Sequence, residues 1–81
     1  MIDSDQIKAA RALLGLTQDD LAASSGLSAQ TIKRMEGLGT GRSSTDNVMA
    51  VKRALEGAGA VFIPENGGGA GVRRAKPGIS K

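Results

Sequence analysis

Residues 16–36 read LTQDDLAASSGLSAQTIKRME, and two short helical patterns meet inside this stretch at Gly26 with no room for a loop between them. Thr17 offers a capping hydroxyl, Asp19 and Asp20 put negative charge in the first turn where it complements the helix dipole, and Leu21 and Ala22 supply the apolar stripe. Ser24 and Ser25 weaken this helix, and Gly26 ends it, because glycine enters the left-handed conformation of a helix stop without a Cβ clash. Leu27 is placed to fold back as an apolar plug, and Ser28 to cap a second helix. In that helix Ile32 and Met35 face inward, which leaves Ala29, Gln30, Thr31, Lys33 and Arg34 on or near the outward face.

Two helices joined this tightly form a helix-turn-helix, and the outward set has the chemistry that the major groove of DNA selects. Gln30 can bond adenine bidentately, Arg34 can bond guanine, Ala29 and Thr31 can touch a thymine methyl, and Lys33 can reach phosphate. Taken one by one, Gln30, Lys33 and Arg34 are ordinary solvent-facing residues. Inside the complete motif they read as base or phosphate contacts. Gln18 and Ser28 stand at helix starts, where capping and phosphate binding through free N–H groups can coexist, whereas Thr17 reads as a cap alone.

Several further positions stand together at one family's spacing: the run from Ile7 to Leu16 followed by Thr17-Gln18, the Leu21-Ala22 pair, Gly26, Ser28, the Thr31-Ile32 pair and Glu36. In these the chain resembles the phage-repressor family of helix-turn-helix proteins, the Cro/XRE type, over roughly residues 5 to 60. The resemblance implies that Gln18 holds a phosphate and braces the recognition helix. It also implies that Arg11 pairs with Glu36 in a partly buried ion pair tying the first helix to the end of the third. The family's loop after the recognition helix tracks the phosphate backbone, which makes Arg42 a contact. One departure is visible: the family closes that helix with Glu, any residue, then Gly, whereas here Gly37 follows Glu36 directly and the loop is read as GLGTGRSS.

The rest of the chain fits one small domain of 81 residues. Asp3 or Ser4 can cap a first helix carrying Ile7, Ala10, Leu13 and Leu14, which Gly15 ends. Gly37, Gly39, Gly41, Ser43 and Ser44 suggest a flexible loop, and Thr45 with Asp46 and Asn47 starts a fourth helix whose stripe is Val48, Val51 and Leu55. The fold expected is all-α: a compact four-helix, lambda-repressor-like domain over residues 1–59 with a core of Ile7, Leu14, Leu21, Leu27, Ile32, Val48, Val51 and Leu55. Ala60-Val61-Phe62-Ile63 changes period to a short strand stopped by Pro64, and Gly71 to Ala75 can return. Residues 60–75 are therefore expected as a short C-terminal β-strand or hairpin anchored by Phe62, the sole aromatic residue, and residues 76–81 as a disordered, flexible tail. A lone hairpin is marginal in water, so this one needs backing from its own helices or from a second copy, with its edge as a dimer contact. Arg73, Arg74 and Lys76 read as a solubilising tail before a DNA-touching arm.

Composition removes several function classes. The chain has no cysteine and no histidine, so disulfides, thiolate or imidazole metal sites and Cys or His catalysis are excluded. Asp19 and Asp20 imitate a carboxylate pair, but adjacent helical residues diverge and no nucleophile joins them. The glycines of GAGAVFIPENGGGAG lack the Gly-Lys-Ser/Thr of a phosphate loop. The expectation is a protein that is not an enzyme and uses no cofactor or metal. A net charge of +3 alone does not specify a partner, but Asp3, Asp5, Asp19 and Asp20 precede residue 21 while most basic residues follow it. Double-stranded DNA is the partner this asymmetry suits. The N-terminus is acidic before it is apolar, unlike a secretory signal, and no apolar run approaches the roughly 18 residues of a membrane span, so a cytoplasmic, nucleoid-associated location is expected.

The resulting expectation is a transcriptional regulator, a repressor of bacterial or phage type. It inserts helix 28–36 into the major groove of a pseudo-palindromic operator as a homodimer, with Gln18, Ser28, Ala29, Gln30, Thr31, Lys33, Arg34 and Arg42 as its contacts. The other class is a non-catalytic protein-interaction module on the same fold, antitoxin-like or an anti-regulator, whose VFIPENGGG tail, residues 61–69, docks a second protein.

Overall fold

Each α-helix starts at a side chain that takes up a free backbone N–H. Asp3 caps α1 (Ser4–Leu14) by accepting from Gln6 N at 2.8 Å, while Gln6 Oε1 accepts from Asp3 N at 3.0 Å. Thr17 and Asp20 form the same reciprocal box at the start of α2 (Gln18–Ser25). Ser28 Oγ caps α3 (Ala29–Leu38) and Ser44 Oγ caps α4 (Thr45–Gly57). Gly15 at φ 70° and Gly26 at φ 77° end α1 and α2 in the left-handed conformation, as their positions in the sequence lead one to expect. The structure, a computed structural model, describes residues 1–75; the expected tail at 76–81, with Lys76, lies outside the described residues.

The four helices enclose a core in which Ile7, Leu21, Ile32, Met35, Val48, Val51 and Leu55 are fully buried. Leu14 and Leu27, expected inside, are only partly buried against it, and Ile2, Ala10, Ala22 and Ala60 complete it instead. Leu14 ends its helix and Leu27 occupies the turn, so each covers an edge of the core rather than its centre.

After α4 the chain forms β1 (Ala60–Ile63) and β2 (Gly71–Arg74), antiparallel, with Phe62 opposite Val72 and Ala60 opposite Arg74. Ala60, Phe62 and Val72 pack against the helical core, so the hairpin has backing from its own chain. Two side chains of the hairpin–helix boundary fix it there: Gln6 Nε2 donates to Gly71 O at 2.9 Å and to Ile63 O at 3.4 Å, and Arg74 Nη2 donates to Leu13 O at 2.9 Å. Ala75 N, donating to Gly59 O at 2.7 Å, extends the pairing of the two strands by one step. Arg74 thus serves a carbonyl in the last turn of α1, where a cation also complements the helix dipole.

The segment after Glu36 differs from expectation. The third helix spans Ala29–Leu38 rather than ending at Glu36, and it stops where Gly39, at φ 94°, returns its N–H to Met35 O at 3.1 Å. Gly37 alone is no stop because it keeps helical geometry; termination waits for the residue that reverses φ. The loop expected to be flexible holds a 3-10 turn, Thr40–Arg42, and buried Thr40 donates its hydroxyl to Ile2 O at 2.9 Å. No helix among the described residues is long and apolar enough to cross a membrane.

Candidate nucleic-acid interface

Position along α3 decides what its residues can touch. At 3.6 residues per turn, Gln30 and Arg34 each lie about 200° around the helix from Ile32, opposite the core. Both are exposed, as is Lys33 on the flank, and among the described residues none of the three has a side-chain hydrogen bond or ion pair. Gln30 and Arg34 stand one turn apart on one ridge, a rise of about 6 Å, a little under the span of two base-pair steps of a duplex. The clefts on the hairpin side, one of about 380 Å³ lined by Ile2, Gln6, Phe62 and Pro64 among others, include no residue of α3.

The beginning of α3 is more committed. Ser28 Oγ accepts from Thr31 N at 3.1 Å and lies 2.9 Å from Thr31 Oγ1, so both hydroxyls are engaged in the cap and the Thr31 methyl is the group left for an apolar contact. Ala29 is partly buried against the core, which leaves only part of its methyl for a partner. Arg42 is exposed at the end of the 3-10 turn, held in place through its neighbour Thr40.

A polar triad sets where α3 stands. Arg11 Nε donates to Glu36 Oε2 at 2.7 Å and Arg11 Nη2 to Glu36 Oε1 at 2.8 Å, a bidentate pair, and Arg11 Nη1 donates to Leu16 O at 3.1 Å. Gln18 Nε2 adds a bond to Glu36 Oε1 at 3.1 Å, which joins the first residue of α2 to the last turn of α3. The pair implied by the family resemblance is therefore present, and Gln18 braces the same carboxylate. Burial pushes the Glu36 carboxyl up, but hydrogen bonds from Arg11 and Gln18, with the charges of Arg11 and Lys8, outweigh it and hold the group below its ordinary value. The hydrogen bond to Glu36 raises Arg11 in turn. At the start of α2, Asp20 is lowered by the bonds that it receives from the Thr17 backbone and hydroxyl.

A helix-turn-helix family model matches residues 7–54, from the first core residue of α1 to the last turns of α4 and over more than half of the chain. The chain belongs to the Cro/C1-type helix-turn-helix family, the XRE family. A comparison with curated proteins finds no match. Membership in this family makes the protein a DNA-binding helix-turn-helix regulator. In that family's terms α2 and α3 are the motif, α3 is its recognition helix, and the triad of Arg11, Gln18 and Glu36 fixes its position. Beyond the helix end expected at Glu36, α3 adds a residue absent from the expected contacts: Leu38, exposed on the last turn.

Proposed function

We propose that the protein represses transcription by binding a specific operator with α3 in the major groove. The observation that carries this reading is the ridge of Gln30 and Arg34, unpartnered among the described residues, with Lys33 beside it and the buried Ile32 on the opposite side of the helix. A surface that served packing alone would have no use for two exposed side chains capable of bidentate hydrogen bonding one turn apart. In this reading Gln30 and Arg34 specify bases, Thr31 and the open part of Ala29 discriminate thymine methyls, and Gln18, Ser28, Lys33 and Arg42 position the backbone. Gln18 supports its share in a specific way: its amide is already oriented by Glu36, so its remaining N–H meets a phosphate with little further ordering.

The operator is pseudo-palindromic and the binding unit a homodimer, with two recognition helices about 34 Å apart. The contact runs through residues 60–75, where Val61 and Ile63 keep part of their surface open on strands with unpaired outer edges. The protein acts in the cytoplasm on the nucleoid. Selection of bound sites from a random DNA pool tests the reading. Enrichment of one inverted repeat is expected, and failure to enrich any sequence would favour the protein-interaction module instead.

A further inference from the structure

The outward face of α3 does not end at Arg34. Gly37 and Leu38 carry it one turn further, and Leu38 is 59% exposed. Among the described residues the other large apolar side chain this open is Met1, whose place at the chain end needs no special reason. A single exposed leucine is ordinary; its position and its neighbours are not. Leu38 follows Arg34 by four residues and Thr31 by seven, so it continues their row along the helix, about 120° around from Ile32 on the flank opposite Lys33.

Leu38 is also flanked by bare backbone. Gly39 requires glycine for its φ of 94°, but Gly37 and Gly41 keep negative φ, and a Cβ at either would meet no atom within 4 Å. Neither conformation nor internal packing calls for glycine at these two positions, and inside a helix glycine is the least favourable residue after proline. Absent side chains serve a backbone that another molecule must approach closely. Leucine supplies no donor or acceptor, so it cannot hold a phosphate oxygen, and the apolar feature of the major-groove edge is the 5-methyl group of thymine.

Resting on the reading that α3 enters the major groove, we propose that Leu38 is a further specificity-determining residue. It packs on the methyl of a thymine beyond the base read by Arg34, with Gly37 and Gly41 admitting the duplex to van der Waals distance. The test uses the intact protein and its selected site with uracil replacing thymine one position at a time, which deletes only the methyl. The wild type should lose affinity about fourfold at one thymine of each half-site, the loss that follows from exposing one methyl-sized group. L38A should bind the thymine site more weakly and show no further loss with uracil there. G37A should melt higher than the wild type yet bind the same site less tightly. An unchanged uracil penalty in L38A, or the absence of any penalty in the wild type, overturns the proposal while leaving the reading of bases by Gln30 and Arg34 intact. Undiminished binding by G37A overturns the close approach. A wild type that selects no site at all overturns the groove reading itself, and this inference with it.

Discussion

Arg11 grips Glu36 through two parallel hydrogen bonds, of 2.7 and 2.8 Å, across 25 residues of chain, and the carboxylate it holds is 5% exposed. Helix α1 is thereby fastened to the last turns of the helix that carries the candidate contacts. A planar guanidinium matches both carboxylate oxygens at once, which a lysine ammonium cannot do. R11A leaves a buried carboxylate with only Gln18 to answer it. The expected loss is about 2 to 3 kcal/mol, on the low side for a broken buried pair because the Arg11 side chain keeps 21% of its surface open. R11K should recover only part of it. Urea unfolding measures both, and a midpoint unchanged in R11A would contradict the brace.

The same pair makes stability depend on pH in one direction. Glu36 is held below its ordinary value in the folded protein, so as pH falls the unfolded chain takes up its proton first. The contribution is complete above the ordinary glutamate range, near pH 4.3, and drains as pH falls through the lower folded value. Asp20, lowered by its bonds from Thr17, adds a loss of the same sign. E36Q should be less stable than the wild type near neutrality and show a shallower acid limb, the two curves converging at low pH. Thermal melts recorded from pH 7 to pH 3 would decide it, and parallel curves would assign the acid sensitivity elsewhere.

Gln6 gives a local prediction. Its amide oxygen completes the cap of α1 and its amide nitrogen holds the carbonyls of Gly71 and Ile63, so one buried side chain couples the helix start to the hairpin. Q6A should cost about 1 to 3 kcal/mol, the desolvation cost of the groups that it leaves unpaired. It should also raise amide hydrogen exchange across 60–74 more than in α2 and α3. Uniform acceleration over the whole chain would mean that the hairpin opens only with global unfolding.

What could be read in the sequence divides along the range of the interactions. Caps and stops are local, so Thr17, Gly26 and Ser28 were legible from neighbours within four residues, and the strand at Ala60–Ile63 from a change of period over the same distance. Gln6 and Thr40 were not, because the partners of their side chains lie 57 to 65 and 38 residues away and nothing in periodicity points to them. Gly37 misled for a different reason. Glycine permits a helix stop without imposing one, and here Gly39 makes the reversal two residues later. In the candidate site the face of α3 followed from its core residues, but how firmly each side chain is engaged did not: the Ser28 and Thr31 hydroxyls bind each other, whereas Gln30 and Arg34 bind nothing among the described residues.

Angular position on α3 separates the roles of Lys33 and Arg34, adjacent cations that look alike in sequence. Arg34 lies about 200° from Ile32 and Lys33 about 100°, so in the proposed docking the first would face the groove floor while the second would lean to its wall. R34A should lose about 1 to 3 kcal/mol on the selected operator, with the sequence preference relaxed at one position of each half-site. K33A should weaken binding by a similar factor on every sequence and make the dependence of affinity on salt shallower by about one ion per protomer. Titrating both variants against operator and scrambled duplex over a range of salt distinguishes them. Equal losses for R34A on both duplexes would make Arg34 a phosphate contact, and base reading on this ridge would then fall to Gln30.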